Sequence, residues 1–385
     1  MGCWLLTIPE TLCPKPQTSS HNFAAIMKVT LSQRSSRPVA IWLLVGVVMI
    51  IIQVLLGGIT RLTGSGLSIT EWKTIVGALP PMNKQDWNTA FEKYKQIAQY
   101  KYLNTHFTLS DFKFIFFWEW FHRLWARLIG VVFLIPFVIF TIQKRFRPEM
   151  IRPMIILFLL GALQGLAGWI MVQSGLENSD ILYVSHYKLA IHFVFALGLL
   201  CYALWFALDL LIPKEQLIIN KLLRKFANWL VVLLIIQLIY GAFMSGLKAA
   251  TTAPTWPTIN GAWIPGNIHS FGNHHFTGLS YLTDHPLFIH FIHRNLGYLI
   301  SILIFIWSWK AYKDQGTKLF QKTKWFPLFI VLLQVLLGIL TVLNAVNPRS
   351  FLWLAAAHQF VAMILLLSLV WILYIVRSKT VIMLT

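Results

Sequence analysis

The chain has 385 residues, of which 57% are hydrophobic and only 12% are charged. A soluble globular protein has about 25% charged residues, so this composition excludes an ordinary soluble enzyme. Apolar segments long enough to cross a hydrocarbon layer of about 30 Å recur along the chain. We therefore expect an all-α polytopic membrane protein.

The net charge of +19 does not indicate a nucleic-acid partner, because the basic residues lie in short loops between apolar segments. In such loops they orient a membrane protein and attract anionic lipid. The three cysteines, Cys3, Cys13 and Cys201, show no paired spacing, which argues against a disulfide framework or a zinc site. We expect contacts with membrane lipid and none with nucleic acid.

The hydropathy pattern predicts eight transmembrane spans, which would form two pseudo-symmetric four-helix bundles. The predicted spans are 38–58, 113–141, 153–173, 186–211, 227–247, 286–309, 325–343 and 351–376. The connections at 142–152, 212–226 and 310–324 are basic, so the positive-inside rule places them and both termini in the cytoplasm or the mitochondrial matrix. The long loops 59–112 and 248–285 then face outward.

The first 27 residues contain one lysine and no arginine, which argues against an Arg-rich mitochondrial transit peptide. We therefore favour the bacterial cytoplasmic (inner) membrane over the mitochondrial inner membrane. The expected organisation is a cytoplasmic tail, a four-helix half, a cytoplasmic linker, a second four-helix half and a short cytoplasmic tail, at 1–37, 38–211, 212–226, 227–376 and 377–385.

Two repeated signatures divide the spans into equivalent halves. The odd spans carry Gln-x-x-x-Gly, beginning at Gln53, Gln164, Gln237 and Gln334. The even spans carry one histidine each, His122, His192, His293 and His358. Because each half has an even number of spans, the halves point the same way and are related by an axis along the membrane normal. The Gln-x-x-x-Gly signature favours helix packing, with a role beside a cofactor as the alternative.

All four histidines are predicted to lie at similar depth, roughly 10–14 Å below the outer end of their spans. One isolated histidine in a span is more often a packing or pore-lining residue, but four at one depth favour two bis-histidine metal sites, most simply two haems. Zinc or di-iron sites would need nearby carboxylates or thiolates, which the spans largely lack.

Glu119 is the exception among the spans, because it precedes His122 by three residues and lies one turn away on the same helix face. The equivalent position, three residues before His293, is His290. The halves therefore keep the ligands and differ in one reactive group, which predicts that one site performs chemistry and the other supports it. The alternative role for Glu119 is an ion pair with an arginine on its own helix.

Three arginines are candidates for contacts with haem propionates, since a guanidinium pairs with a carboxylate in forked geometry; they are Arg61, Arg123 and Arg294. The Gly-rich stretch 57–66 does not have the spacing of a nucleotide-binding loop. We predict that it folds over a buried pocket.

At these residues the chain closely resembles the heme A synthase family, in the long-loop branch shared by mitochondria and many bacteria. The matching stretches include Gly-Gly-Ile-Thr-Arg-Leu-Thr-Gly-Ser-Gly-Leu-Ser at 57–68, Phe-Trp-Glu-Trp-Phe-His-Arg at 117–123, Pro-Thr-Trp-Pro at 254–257 and His-Arg at 293–294. Together the matching stretches cover nearly all of 38–376, and it is their combination that is specific.

The resemblance implies an oxidoreductase that converts the C8 methyl of haem O to the formyl group of haem A for cytochrome c oxidase, by two hydroxylations and loss of water. It implies that His122 and His192 hold the substrate haem, with Glu119 as the catalytic carboxylate. It also implies that His293 and His358 hold a permanent haem b that relays electrons. The implied partners are the enzyme that makes haem O, an electron donor and the cytochrome c oxidase assembly machinery; association between copies of the chain stays open.

Two rival functions use the same histidines. A di-haem b-type cytochrome for electron transfer explains all four ligands but leaves Glu119 without a role. A transporter with histidines along a proton path predicts a colourless protein. The combination of motifs favours the enzyme over both.

Overall fold

The computed structural model describes residues 19–71, 78–177, 180–266, 270–272 and 274–378, with only the backbone described for 19–36. The ends of the predicted tails, 1–18 and 379–385, lie outside the described residues. Within the described part of the chain, eight helices are long and apolar enough to cross a membrane. The prediction of an all-α polytopic membrane protein is confirmed.

The described helices are α1 (Ser19–Leu62), α2 (Lys84–Lys95), α3 (Ala98–Leu103), α4 (Leu109–Ile142), α5 (Pro148–Gln173), α6 (His186–Leu211), α7 (Lys221–Gly246), α8 (Ser280–Thr283), α9 (Pro286–Tyr312), α10 (Lys318–Thr323), α11 (Phe326–Leu343) and α12 (Pro348–Ile375). The long ones match the eight predicted spans, and α6 has the predicted bounds. Several begin with proline in the first turn, where its fixed φ suits a helix and its missing N–H costs nothing.

Five of the long helices begin earlier than predicted; they are α1, α4, α5, α7 and α12. α1 begins at Ser19, inside the predicted N-terminal tail, although its membrane-spanning part starts at Arg37. α4 begins before its predicted span because Thr108 and Asp111 form a capping box, in which each side chain satisfies a backbone N–H of the first turn. Its first turns therefore project beyond the bundle into the long loop.

That first long loop, with α2 and α3, forms a cap (residues 63–71 and 78–108) on the projecting end of α4. An aromatic cluster holds the cap, and Phe91 stacks on Phe112 of α4 at a centroid distance of 5.0 Å. The buried Tyr94 hydroxyl donates to Gln99 Oε1 at 3.1 Å, and Gln99 donates to the Gly64 carbonyl at 3.2 Å. Burial raises the pKa of Tyr94 to about 12, so its hydroxyl stays a donor at neutral pH.

Four short strands complete the fold within the described residues. β1 (Ile218–Ile219) pairs in parallel with β4 (Val376–Arg377), and β2 (Ser270–Phe271) pairs antiparallel with β3 (His274–His275). The β1–β4 pair ties the linker between the halves to the end of α12. α7 begins inside the predicted linker, because Asn220 caps its first turn at the Leu223 amide.

Helix packing repeats between the two halves. α1 packs on α4 and α6, as α7 packs on α9 and α12, and α5 packs on α6 as α11 packs on α12. Across the halves α1 meets α12, its equivalent pair α7 and α6 also meet, and α6 meets α12. A twofold axis between α6 and α12 produces this pattern, so the two pseudo-symmetric four-helix bundles are confirmed.

The apolar core lies toward the end of the bundle that carries the termini, which we call the terminal end. It combines residues 39–54 of α1 and the first part of α7 with the second half of α6 and α12, and Trp307 there is fully buried. The opposite end, which carries the two long loops, is the loop end. Since the main core stops short of the loop end, room is left there for a cavity between the helices.

Candidate functional site

A cavity of about 1100 Å³ lies at the loop end and is lined by both halves. Ligand pockets typically have volumes of about 300–1,000 Å³, so this one has room for a large cofactor. Every site residue predicted from the sequence lines it: His122, His192, His293, His358, Glu119, Arg61, Arg123 and Arg294. The fold therefore gathers residues that are far apart in the chain.

The histidines reach the same cavity from different points along their helices. His122 lies roughly 20 Å from the start of α4, whereas the other three lie roughly 9–15 Å from the starts of theirs. The difference arises because α4 extends into the cap. Their meeting depends on how the helices pack rather than on a common distance from each helix start.

Each histidine faces the glutamine of an odd span of its own half. The glutamine side-chain nitrogen lies 3.4 Å from the ring for Gln53 and His122, 3.1 Å for Gln164 and His192, 3.5 Å for Gln237 and His293, and 3.2 Å for Gln334 and His358. An amide nitrogen only donates, so a ring nitrogen bonded to it must carry a lone pair. A neutral imidazole is the form that binds a metal, and a metal bound at that nitrogen would replace the hydrogen bond from the amide.

The glycine of each signature makes room for the same ring. A Cβ added to Gly57, Gly168, Gly241 or Gly338 would lie 3.1, 2.8, 3.3 or 3.0 Å from the Cε1 atom of the facing histidine. Carbon atoms normally approach to about 3.5–4.0 Å, so each ring occupies space that any side chain would take. We predicted helix packing for this signature, but the structure shows both of its ends in contact with the histidines, which favours the cofactor-side alternative.

The second histidine pair has the geometry of two ligands on one metal. The ring centroids of His293 and His358 are 6.3 Å apart with their planes at 74°. An imidazole nitrogen lies about 2 Å from a bound metal, and the ring centroid lies about 1 Å behind it, so two opposed ligands place their centroids about 6 Å apart. His358 Nδ1 also donates to the Gln334 carbonyl at 3.1 Å, which leaves the lone pair on Nε2, where a metal would replace the hydrogen bond from the Gln334 amide.

Buried polar atoms around the cavity fit a metal-bearing ligand. Within the described residues, Nδ1 of His122 and His293 and Oε1 of all four signature glutamines are buried without a hydrogen-bond partner, although buried polar groups are normally bonded. No cluster of three or more histidine, cysteine or acidic side chains that could hold a metal occurs in that part of the chain. This fits haem, whose porphyrin supplies the remaining ligands, better than zinc.

Glu119 is 2% exposed and lies on the cavity wall. Its Oε2 accepts from the Ser68 hydroxyl at 2.7 Å and the Ile69 amide at 2.8 Å, and its Oε1 accepts from Arg123 at 2.6 Å. The ion pair that we considered as the alternative is therefore present. The ion pair leaves the carboxylate on the cavity wall. Arg123 on Oε1 and the two cap donors on Oε2 together fix the orientation of the carboxylate.

The second half keeps this arrangement with histidine in place of the acid. His290 is buried, and its Nε2 accepts from Arg294 at 3.0 Å. Arg294 also donates to carbonyls of the second loop, at Pro257 and Thr255, as Arg123 donates to Ile69 of the cap. Each half thus has an arginine that binds its loop, and the halves differ in the group that this arginine holds.

The third arginine joins the halves. Arg61 donates to the carbonyls of Ser245 and Gly246 at the end of α7, and its guanidinium lies 5.8 Å from the Tyr183 ring centroid. All three candidate arginines therefore already bind protein groups, and a propionate would add to these bonds. That assignment stays a prediction.

Gln359 was not anticipated from the sequence. It follows His358 on α12, and its amide donates to the Val54 carbonyl of α1 at 2.9 Å. Val54 follows Gln53, which faces His122 in the other half. The Gln359 hydrogen bond therefore connects the surroundings of the two sites directly. No pattern in the sequence predicts this bond.

Alanine at Gly338 should displace the His358 ring. Overpacking typically costs about 1–3 kcal/mol, which corresponds to a loss of about tenfold or more in affinity. We expect Gly338→Ala to lose most of the haem absorbance per protein. Gly46→Ala is the matched control, because Gly46 lines the same cavity but an added Cβ meets nothing within 4 Å. Equal haem content in the two purified variants would contradict the view that Gly338 leaves room that the His358 ring needs in order to bind haem.

Comparison with known proteins agrees with this geometry. A family described as cytochrome oxidase assembly protein (COX15-CtaA) matches residues 40–370. A protein named heme A synthase from Flavobacterium psychrophilum is 40% identical over 89% of this chain and 98% of its own length. Proteins of the same name from Flavobacterium johnsoniae and Rhodospirillum centenum are 38% and 39% identical, over 89% and 90% of this chain and 98% and 90% of their own lengths. The chain belongs to the heme A synthase family.

Proposed function

We propose that the chain oxidises the C8 methyl group of haem O to the formyl group of haem A, with His122 and His192 as ligands of the substrate haem. One observation carries this proposal: two matching histidine pairs line one cavity, and only the first pair has a buried carboxylate one turn away. The name shared by the relatives and the family's description as an oxidase assembly protein support it.

The second pair would hold a permanent haem b. The 6.3 Å separation of the His293 and His358 rings and the bond that orients His358 support this assignment. Haem bound there supplies a one-electron redox centre. The protein's own contribution is to hold the rings apart and exclude competing ligands. The division into a substrate half at 38–211 and a haem b half at 227–376 is part of the proposal.

Glu119 would act as the acid–base group of the first site. Oxidation of a methyl to a formyl group removes protons as well as electrons, and a carboxylate on the wall of the site can accept and return those protons. Arg123, Ser68 and the Ile69 amide hold it in one orientation. The cap thereby closes the polar side of the site around this carboxylate.

The electron-transferring cytochrome is not favoured. It would use the same four histidines, but it gives no role to the difference between Glu119 and His290. The relatives that match nearly the whole chain carry the name of a synthase. The expected partners are therefore the enzyme that supplies haem O, an electron donor and the oxidase assembly machinery.

Haem analysis of cells tests the reaction directly. Expression of the chain in a host that makes haem O but no haem A should produce haem A, detected by mass spectrometry of the extracted pigment. Purified protein that contains haem B alone, from cells whose haem O is unchanged, would support the cytochrome instead.

Replacing Glu119 by glutamine keeps the size of the side chain and removes its charge. Because acid–base groups typically contribute about 10²–10⁴-fold, we expect Glu119→Gln to lower haem A formation at least tenfold while haem stays bound at both sites. His290→Gln, at the equivalent position, should have a much smaller effect. Ser68→Ala removes one cap contact but keeps the acid; if it lowers haem A formation as much as Glu119→Gln, then Glu119 only holds the cap.

We also propose that the loop end faces the periplasm and that both termini are cytoplasmic. The connections and tails at the terminal end together carry 19 of the 32 Lys and Arg residues, and the positive-inside rule places such regions in the cytoplasm. Alkaline phosphatase fused within 248–266 should be active, and a green fluorescent protein fused after residue 378 should fluoresce. The reverse pattern would show the opposite orientation.

A further inference from the structure

The two halves differ on the side that faces the membrane. In the second half α9 packs along α11, whereas the equivalent helices of the first half, α4 and α5, have no comparable contact. Both pairs are described along their whole length. The departure from the twofold pattern is therefore local, and it falls in the half that contains His122 and His192.

The cavity extends into this gap. Eight of its lining residues on these two helices are exposed; they are Ala126, Gly130, Val131 and Leu134 on α4 and Phe158, Gly161, Ala162 and Gly165 on α5. In contrast, every lining residue of α9 and α11 is buried or half-buried. We call this opening, defined by the eight exposed residues, the α4–α5 cleft.

The walls of the cleft are apolar and widely spaced. Its eight residues carry no polar side chain, and Leu134 and Phe158 are 56% and 61% exposed. A Cβ added to Gly130, Gly161 or Gly165 would meet nothing within 4 Å. These glycines therefore do not bring the helices together, as small residues do at a tight helix interface; they leave space between them.

The cleft leads from the histidines toward the terminal end. Along α5, Gly161 is roughly 10 Å from Gly168, whose face meets the His192 ring. Along α4, Leu134 is roughly 18 Å from His122. The cleft therefore continues the cavity of the first histidine pair away from the cap and the polar loops, along spans that lie within the hydrocarbon layer.

We propose that the α4–α5 cleft binds the isoprenoid tail of the substrate haem and is the lateral route by which substrate and product exchange with the membrane. This inference rests on the proposed function. Haem O carries a hydroxyethylfarnesyl chain, which dissolves in lipid, and oxidation of the methyl group leaves that chain in place. A substrate must be exchanged in every cycle and a permanent haem must not. The first half is accordingly open to lipid, and the second half is closed.

Photo-crosslinking tests occupancy of the cleft without requiring turnover. The full chain with its permanent haem is purified with p-benzoylphenylalanine in place of Phe158, reconstituted in phosphatidylcholine vesicles with haem O and irradiated. The control carries the same group in place of Phe329, which is 66% exposed on α11. We expect at least tenfold more haem O adduct at position 158. Equal yields at the two positions, or adducts with lipid alone at 158, would overturn the proposal.

A second variant tests the route. Gly161 lines the cleft, and a Cβ added there meets nothing within 4 Å, so leucine is chosen to fill that space. We expect Gly161→Leu to slow the binding of haem O at the first site at least tenfold, as measured by stopped-flow absorbance. The absorbance of the permanent haem should stay unchanged. Gly198→Leu is the control, since Gly198 is exposed on α6 outside the cavity and also has open space around it. Wild-type binding rates for both variants would exclude a lateral route here.

Failure of this inference can be separated from failure of the proposed function. A haem O adduct at position 158 with no haem A in cells would support the cleft and contradict methyl oxidation. Normal haem A formation, with no adduct at 158 and with Gly161→Leu binding at the wild-type rate, would contradict the cleft and support the reaction.

Discussion

A buried imidazole in a membrane needs polar partners from the protein or from its ligand, since lipid supplies none. The chain supplies one such partner to each of the four rings in the same way, with a glutamine amide at the ring edge and a glycine that leaves room for the ring. The helix that carries each glutamine and glycine therefore fixes the position of the helix that carries the facing histidine. The four helices of a half are arranged around their histidines as much as around an apolar core, which lies toward the other end of the bundle.

The two sites share this support and differ in their polar neighbours. In both halves an arginine directly after the first histidine binds the long loop above it. In the first half the same arginine pairs with Glu119, and in the second it pairs with His290. A common scaffold with one exchanged side chain is a direct way to separate a reacting site from a supporting one, because the exchange changes proton chemistry without moving the ligands.

The spans and the four histidines of the cavity were predictable from the sequence because lipid imposes strong rules on both. Long apolar segments must be helices, and four histidines in such segments need a common explanation. The start of α4 was missed because it depends on the Thr108 capping box and on the aromatic cluster of the cap. The sequence could not separate the two roles of Gln-x-x-x-Gly, because a small residue and an amide serve helix packing and the support of a histidine equally well. The gap between α4 and α5 leaves no mark in the sequence, since it depends on the relative placement of two helices whose composition is ordinary.

The hydrogen bond from Gln359 to the Val54 carbonyl has a consequence for how such a chain can evolve. A protein with two similar bundles invites the idea that each began as a separate unit that paired with itself. The residue at the equivalent position in the first half, directly after His192, is Phe193, whose side chain has no hydrogen-bond donor. The bond from Gln359 therefore has no counterpart related by the twofold axis, and exchanging the two halves would lose it.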